Sequence, residues 1–305
     1  MQTTICVVMP CHNGAPWVRA ALHSIAGQER PAEQVIVVDD CSTDASLEEI
    51  EGSGVELRLV QTRFGNAAAA RNAGARASDA DWIAFLDADN HWFPNHLQLL
   101  TEGLCRNPDA VAGYSWPGLQ RPAERPGEPE LRGTRLGPEL RKYDRLHHDD
   151  FLVIRGLWRY GFPTTGMVVR RDRFQAIGGF NEQQRRRHDF DMFMRATLGH
   201  TWFACEVPTW WSRPPRPGDI SSNKIECHRF ALQAMQNHLR VYPTRLMEAV
   251  VEREARATIS ALLKGPLTTR DDALWDQCLE QVPVLRRMFY RLKYQYTNVA
   301  AAARP

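Results

Sequence analysis

Short apolar runs alternate with amphipathic stretches through the first 115 residues. Residues 4–9 (TICVVM), 35–38 (VIVV) and 82–86 (WIAFL) are almost unbroken hydrophobic runs, as expected of strands covered on both faces. Residues 55–60 (VELRLV) alternate with period two instead, which predicts a half-exposed strand near a sheet edge. Helical patterns fall between these runs. Trp17, Ala21 and Ile25 recur at four-residue spacing in 16–25, and residues 66–77 are alanine-rich, weakened only by Gly74. Asp44 stands where its carboxylate can cap a short helix through Ile50, and a helix over 94–105 begins on Pro94, where a missing N–H costs nothing. Residues 110–114 read as one more strand.

Strands that alternate with helices imply right-handed crossovers and a largely parallel sheet. Ligands of such sheets sit outside the carboxyl ends of the strands. The residues there are Pro10-Cys11-His12 after the first run, Asp39-Asp40 after the second and Asp87-Ala88-Asp89 after WIAFL. Carboxylates therefore gather on one rim.

The second half is less regular. Residues 117–145 are rich in Pro, Gly, Arg and Glu without apolar periodicity and read as a long surface loop. GMVVRR then reads as a strand, RDRFQAIGGF as a short helix ended by glycine, and 189–198 as a helix. The prolines of 208–217 (PTWWSRPPRP) require extended or loop backbone. Residues 225–305 read as several helices broken near 243, 265 and 283. The domain plan that follows is 1–225, divided into 1–115 and 116–225, with a helical extension over 226–305.

Composition narrows the classes. Of 305 residues, 43% are hydrophobic and 24% charged, which suits a folded domain rather than a disordered or fibrous chain. The net charge of +2 gives no reason to expect a nucleic-acid partner. Seven cysteines without a CxxC pair, no long apolar span and no signal-like N-terminus point to a cytoplasmic protein. The segment 281–305 carries five cations and no acidic residue, with Met288, Phe289, Leu292 and Tyr296 as an apolar stripe. It could lie on the inner face of a membrane, pack on the protein's own core or form an oligomer contact.

Several residues can carry chemistry. Asp87 and Asp89, one residue apart, suit a hard cation such as Mg²⁺ or Mn²⁺ that neutralises a diphosphate; alone they read better as a solvated turn with a helix cap, a preference that their place at a parallel-strand exit beside Asp39 and Asp40 reverses. Asp39-Asp40 can accept the imide N–H of a pyrimidine base or serve as turn chemistry. Arg71 suits a nucleotide diphosphate or an exposed helix face. Trp210 and Trp211 are the aromatics expected nearest a cleft, with Trp158, Tyr160 and Trp202 assigned to the core.

Four blocks taken together carry a resemblance: VVMPCHNGAPWVRAALHSI, VIVVDDCSTD, AAAARNAGARASDADWIAFLDADNHWFPNHL and FQAIGGFNE followed by HDFDMFMRAT. In this order and spacing, residues 3–222 resemble glycosyltransferase family 2, with the nucleotide-diphospho-sugar transferase (GT-A) fold: a Rossmann-like mixed, mainly parallel α/β sheet. The resemblance implies inverting, metal-dependent transfer of a sugar from a nucleotide donor to an acceptor hydroxyl in glycan, lipopolysaccharide or polysaccharide synthesis. A UDP-sugar is the favoured donor, with GDP- and dTDP-sugars open, and the acceptor a glycan or lipid-linked molecule. Pro10, Cys11 and His12 then form a nucleotide-contacting loop, with His12 where the family has Tyr. Asp40 meets the base, Arg71 is the arginine of the A-R-N-A-G stretch, Asp87 lies near the ribose and Asp89 holds Mn²⁺ or Mg²⁺. Asp189 matches the catalytic base, and His188 replaces the family's Glu. Arg213 and Arg216 stand in the loop that closes on the diphosphate, Arg216 in place of a His. Two alternatives remain: a nucleotide-sugar-binding protein without turnover, and a sugar nucleotidyltransferase, which should show a Gly-rich basic loop where PCHNGAPW stands.

Overall fold

The computed structural model describes residues 3–120, 131–133, 145–152, 162–213, 223–264, 271–283, 287 and 290. Strands β1 (Ile5–Cys11), β2 (Gln34–Asp40), β3 (Arg58–Thr62) and β4 (Trp82–Phe85) pair in parallel in the order β3-β2-β1-β4. The apolar runs fill the centre of this half-sheet, and the alternating run lies at its edge, as their patterns require. Helices α1 (Val18–Ala26), α2 (Ser46–Glu51) and α3 (Ala67–Arg76) cross over between the strands.

The sheet then becomes mixed. β5 (Asn90–Trp92), helix α4 (His96–Arg106) and β6 (Ala112–Gln120) follow β4 in the chain. β9 (Met167–Arg170) runs antiparallel between β4 and β6, and β10 (Trp202–Ser212) lies parallel to β6 and carries β5 on its outer side. Two short strands, β7 (Leu131–Gly133) and β8 (Arg145–Leu146), add to β6 and β10. The result is an α/β fold with a mainly parallel sheet flanked by helices, as the resemblance implies. Tyr114, Phe151, Phe162, Phe193 and Trp202 form an aromatic core under the second half, with Phe162 4.7 Å from Tyr114 and 4.8 Å from Phe151 between ring centroids.

Three local expectations need correction. Asp44 is not the helix cap: α2 starts at Ser46, and one Asp44 oxygen accepts the Ser46 N–H (3.0 Å) while the other accepts the Ala15 N–H (3.2 Å), tying two rim loops together. Pro94 stands before its helix, because β5 and the Phe93 N–H bond to the Thr209 carbonyl (2.9 Å) keep the chain extended that far. The stretch 117–145 is not wholly loop, since β6 runs through Gln120 and β7 and β8 lie within or at the end of it.

The chain divides into two compact units, one of residues 1–151 with 161–214, the other of 152–160 with 215–305. In the second, helices α8 (Lys224–Val241), α9 (Arg245–Lys264) and α10 (Asp272–Glu280) pack in sequence, separated near the predicted breaks. The short helices α5 (His148–Leu152) and α6 (Arg171–Ala176) and the longer α7 (His188–Thr197) complete the described elements. Among the described residues no helix is long and apolar enough to cross a membrane. The stripe of Met288, Phe289, Leu292 and Tyr296 proposed for 281–305 falls outside them.

Candidate active site

The rim at the ends of the parallel strands gathers most of the residues singled out in the sequence. Pro10 is half-buried one residue before the end of β1, and His12 is exposed just beyond the strand. The His12 Nδ1–H donates to the Asp40 carbonyl at 2.7 Å, which leaves the ring face free for a ligand. Cys11 is different: its side chain is buried, a Cβ on Gly14 would come within 3.0 Å of its sulfur, and burial pushes its thiol up to about 11. Any ligand contact by Cys11 would be through its backbone.

Asp40 is committed to its own protein. Its carboxylate accepts the Thr62 hydroxyl (3.0 Å) and the backbone N–H groups of Phe64 (2.5 Å) and Asn66 (2.8 Å). Burial alone would raise its pKa, but the Asn66 and Phe64 amides and Thr62 outweigh burial and hold it below the ordinary value. The Gly65 amide lowers it as well, so protein donors take up most of the roughly four acceptor positions of this carboxylate. Asp39 lies on the opposite face of the strand, with Oδ1 buried and unpaired and Oδ2 3.3 Å from the Ser42 N–H.

Arg71 reaches the rim because α3 lies close on the sheet. Ala68, Ala69 and Ala70 are buried, and a Cβ on Gly74 would stand 2.4 Å from Val8 Cγ1. Asn66 caps this helix, accepting from the Ala68 (2.9 Å) and Ala69 (3.3 Å) N–H groups. The Arg71 guanidinium is buried rather than solvent-facing. Nη2 pairs with Asp87 and Nη1 donates to His188 Nε2 at 2.9 Å, while Nε is buried without a partner. His188 must be neutral to accept this bond; burial first and the Arg71 charge second push it down to about 4. His188 is therefore an interior residue, because the loop before α7 folds inward.

Asn72 causes that folding. Its amide donates to the Phe180 carbonyl (2.9 Å) and to Glu182 Oε1 (2.9 Å), and its oxygen accepts the Phe180 N–H (2.8 Å). Asn66 adds a bond to the Glu182 carbonyl at 2.8 Å. The stretch leading to α7 is thus stitched to α3, which sets Asp189, in the first turn of α7, next in the chain to a residue that touches Arg71. Asp189 is half-buried, and its Oδ1 accepts the Phe190 N–H at 2.8 Å. Asp191 is committed to Arg195 (2.6 Å) and is not available as a base.

Asp87 accepts from the Thr164 hydroxyl at 3.1 Å as well as from Arg71. Thr165 accepts the Asn90 amide at 2.6 Å and the Asp87 N–H at 3.4 Å. These threonines occupy a tight turn over Thr164–Gly166 that leads into β9. The sequence reading missed both, since they lie far along the chain and join the rim only through the antiparallel return of β9. Asp89 pairs with Arg213 at 2.9 Å, and the Arg213 guanidinium stands 4.9 Å from the Trp17 ring centroid. Burial and the neighbouring Asp87 charge raise the Asp89 pKa, opposed by Arg213. Arg216, Trp158 and Tyr160 lie outside the described residues. Trp210 is core, its Nε1 donating to the Ser115 carbonyl at 2.9 Å; Trp211 is half-buried.

The donor set fits a divalent cation of a particular kind. Two carboxylates close enough to oppose each other's ionisation favour a hard metal. Among the described residues no three His, Cys, Asp or Glu side chains converge. Such a cation would complete its shell from ligand phosphates and water, as Mg²⁺ commonly does.

A carboxylate- and arginine-lined rim outside parallel strand ends is the arrangement of a nucleotide-binding α/β protein. Residues 6–193 match the family model for glycosyl transferase family 2, and the chain belongs to that family. An uncharacterized glycosyltransferase of Haemophilus influenzae is 33% identical over 192 residues, covering 62% of this chain. The match spans 60% of that relative's length. Staphylococcus aureus TarS, a poly(ribitol-phosphate) beta-N-acetylglucosaminyltransferase solved as residues 1–349 with UDP-GlcNAc, has the same fold: TM-score 0.72 at 17% identity, over 95% of this chain and 88% of that one. A mannosyltransferase from Pyrobaculum calidifontis, solved with GDP-Man and Mn²⁺, superposes with TM-score 0.60 at 19% identity, over 99% of this chain and 87% of that one.

Proposed function

We propose that this protein is an inverting glycosyltransferase that moves a sugar from a UDP-sugar to an acceptor hydroxyl in the synthesis of a glycan or polysaccharide. The observation that supports this reading is the linkage of Asp87, Arg71 and His188, which ties the rim to the residue just before Asp189. His12 and Asp40 would hold the base, Arg71 and Asp87 the ribose-diphosphate portion, and Arg213 the phosphates. Asp89, with Asp87, would hold Mn²⁺ or Mg²⁺, which when bound supplies charge neutralisation for the departing diphosphate. Asp189 would take the proton from the acceptor hydroxyl as its oxygen bonds to the anomeric carbon and the bond from that carbon to the diphosphate oxygen breaks, inverting the centre. The UDP-GlcNAc complex of TarS supports the donor, and the GDP-Man and Mn²⁺ complex of the Pyrobaculum enzyme supports the metal.

The test is Asp189→Asn, which keeps shape and removes basicity. Calorimetry should find UDP affinity in Mn²⁺ unchanged, while sugar transfer falls by at least about 10²-fold, the low end of general-base effects. Full transfer by that variant would remove Asp189 from the mechanism. Donor binding without transfer by the unmodified protein, against a range of acceptors, would favour the binding-protein alternative.

A further inference from the structure

The stretch Arg185-Arg186-Arg187 is the sequence's one run of three consecutive cations, and it directly precedes His188 and Asp189. Nothing in the proposed donor site uses it. None of the three guanidiniums takes part in an ion pair among the described residues, where the nearby carboxylates have other partners: Glu182 bonds Asn72 and Asp191 pairs with Arg195. Arg185 is exposed, whereas Arg186 and Arg187 are half-buried. Arg186 Nη1 and Arg187 Nε are buried without any hydrogen-bond partner. Folded proteins seldom leave buried donors unpaired, and for two guanidinium nitrogens in adjacent residues an anion is one partner that would satisfy both. Arg187 also adopts φ 58°, a left-handed backbone that a non-glycine residue rarely keeps without a compensating role. With consecutive Cα atoms about 3.8 Å apart, Arg187 stands within about 8 Å of Asp189 along the chain.

We propose that Arg185, Arg186 and Arg187 form an anion subsite beside Asp189, and that the acceptor carries a phosphate group which this subsite holds while Asp189 faces the reacting hydroxyl. The subsite lies on the Asp189 side of the rim, whereas Arg71 and Arg213, paired with Asp87 and Asp89, are the cations proposed for the donor side. Guanidinium forks suit phosphate oxygens, and several together discriminate against a neutral glycan. The assignment rests on Asp189 as the acceptor-side base. The phosphate could belong to a phosphate-linked polyol or to a prenyl diphosphate.

The experiment measures binding of inorganic phosphate to the full chain at matched ionic strength, with and without saturating UDP and Mn²⁺. It compares the parent with Arg186→Gln/Arg187→Gln and with Arg187→Gly. Glycine adopts the left-handed backbone freely, so the last variant removes the guanidinium without threatening the fold. Phosphate should bind the UDP-saturated parent and bind each variant about tenfold or more weakly, the worth of one charge-assisted bond, while UDP affinity stays the same. Equal phosphate affinity in parent and variants would overturn the subsite, as would a parallel loss of UDP affinity, which would put the arginines on the donor side. Failure of the parent to bind UDP would sink the donor reading alone, since the arm without UDP still reports on the arginines. Glycerol 3-phosphate binding more tightly than phosphate would assign a polyol phosphate, and farnesyl diphosphate doing so would assign a prenyl-linked acceptor. If neither exceeds inorganic phosphate, the acceptor assignment fails.

Discussion

Arg71 joins two parts of the rim that are distant in sequence, and a double-mutant cycle can measure that join. Its side chain is 6% exposed, between Asp87 and His188, with a longer 3.3 Å contact to the Ala67 carbonyl. Replacing it by Met keeps bulk and removes the charge. Breaking a fully buried ion pair costs about 3–5 kcal/mol. Asp87 is 26% exposed and keeps the Thr164 hydroxyl, so screening reduces its share to about 2 kcal/mol. His188 would be left with a buried, unmatched Nε2, adding about 1–2 kcal/mol. Arg71→Met should therefore lose about 3–4 kcal/mol, a large part of a typical 5–15 kcal/mol stability but short of unfolding. His188→Leu alone should lose about 1–2 kcal/mol, because one Arg71 N–H loses its acceptor. In the double variant the two losses share one hydrogen bond, so the sum should overshoot the measured loss by about 1 kcal/mol or more. Urea unfolding of the four proteins provides the cycle, and calorimetric UDP binding shows whether the same contact organises the donor side. Additivity within about 0.3–0.5 kcal/mol would mean that the contact carries no energy, and the linkage between Asp87 and the start of α7 would fall with it.

Other expectations follow from single contacts. Gly74→Ala should destabilise, because overpacking against Val8 and Val38 costs about 1–3 kcal/mol against about 1 kcal/mol of helix propensity gained; adding Val8→Ala should recover part of the loss in urea unfolding. Asn72→Ala strands both backbone groups of Phe180 and should cost about 2–4 kcal/mol, with hydrogen exchange quickening through 178–187 and turnover falling more than donor affinity. His188→Glu should weaken UDP binding without unfolding the protein, since a second carboxylate would neutralise the charge that Arg71 retains. Acid should destabilise the protein. His96, His148 and His188 are pushed by burial to about 3, 4 and 4, well below their ordinary value near 6.5. The unfolded chain therefore binds more protons between those values, so stability is full above about pH 6.5 and is lost as pH falls towards 4, at up to about 1.4 kcal/mol per pH unit for each histidine. His148→Gln should flatten that slope in pH-dependent urea unfolding.

Elements set by local pattern were legible in the chain. The continuous apolar runs, the alternating edge strand and the Ala-rich α3 each follow from contacts within a few residues and from burial on one or both faces. The misreadings share a cause. Pro94 looked like a helix start, but its neighbour Phe93 was already bonded to Thr209, more than a hundred residues away. The strands within 117–145 lack an apolar signature, since β7 and β8 are additions of two or three residues at the sides of β6 and β10.

The candidate site divides along the same line. Chemistry-bearing residues at strand ends could be listed because their place follows from the sheet, and Asp40, Arg71, Asp87 and Asp89 all reach the rim. Their partners could not, because each comes from a return of the chain. Thr164 and Thr165 arrive with β9, Arg213 at the end of β10, and His188 through the Asn72 stitch. Those partners decide what each residue has left to offer a ligand. Asp40 has spent most of its acceptor positions on protein groups, and Arg71 two nitrogens, so the base and diphosphate contacts proposed for them would have to use what remains. Asp89 and Arg213 hold each other, so a cation seeking Asp89 competes with Arg213, which would be released towards the phosphates that arrive with the metal. That exchange would pass Arg213 from a carboxylate to the phosphates, a coupling that no motif on one side alone contains.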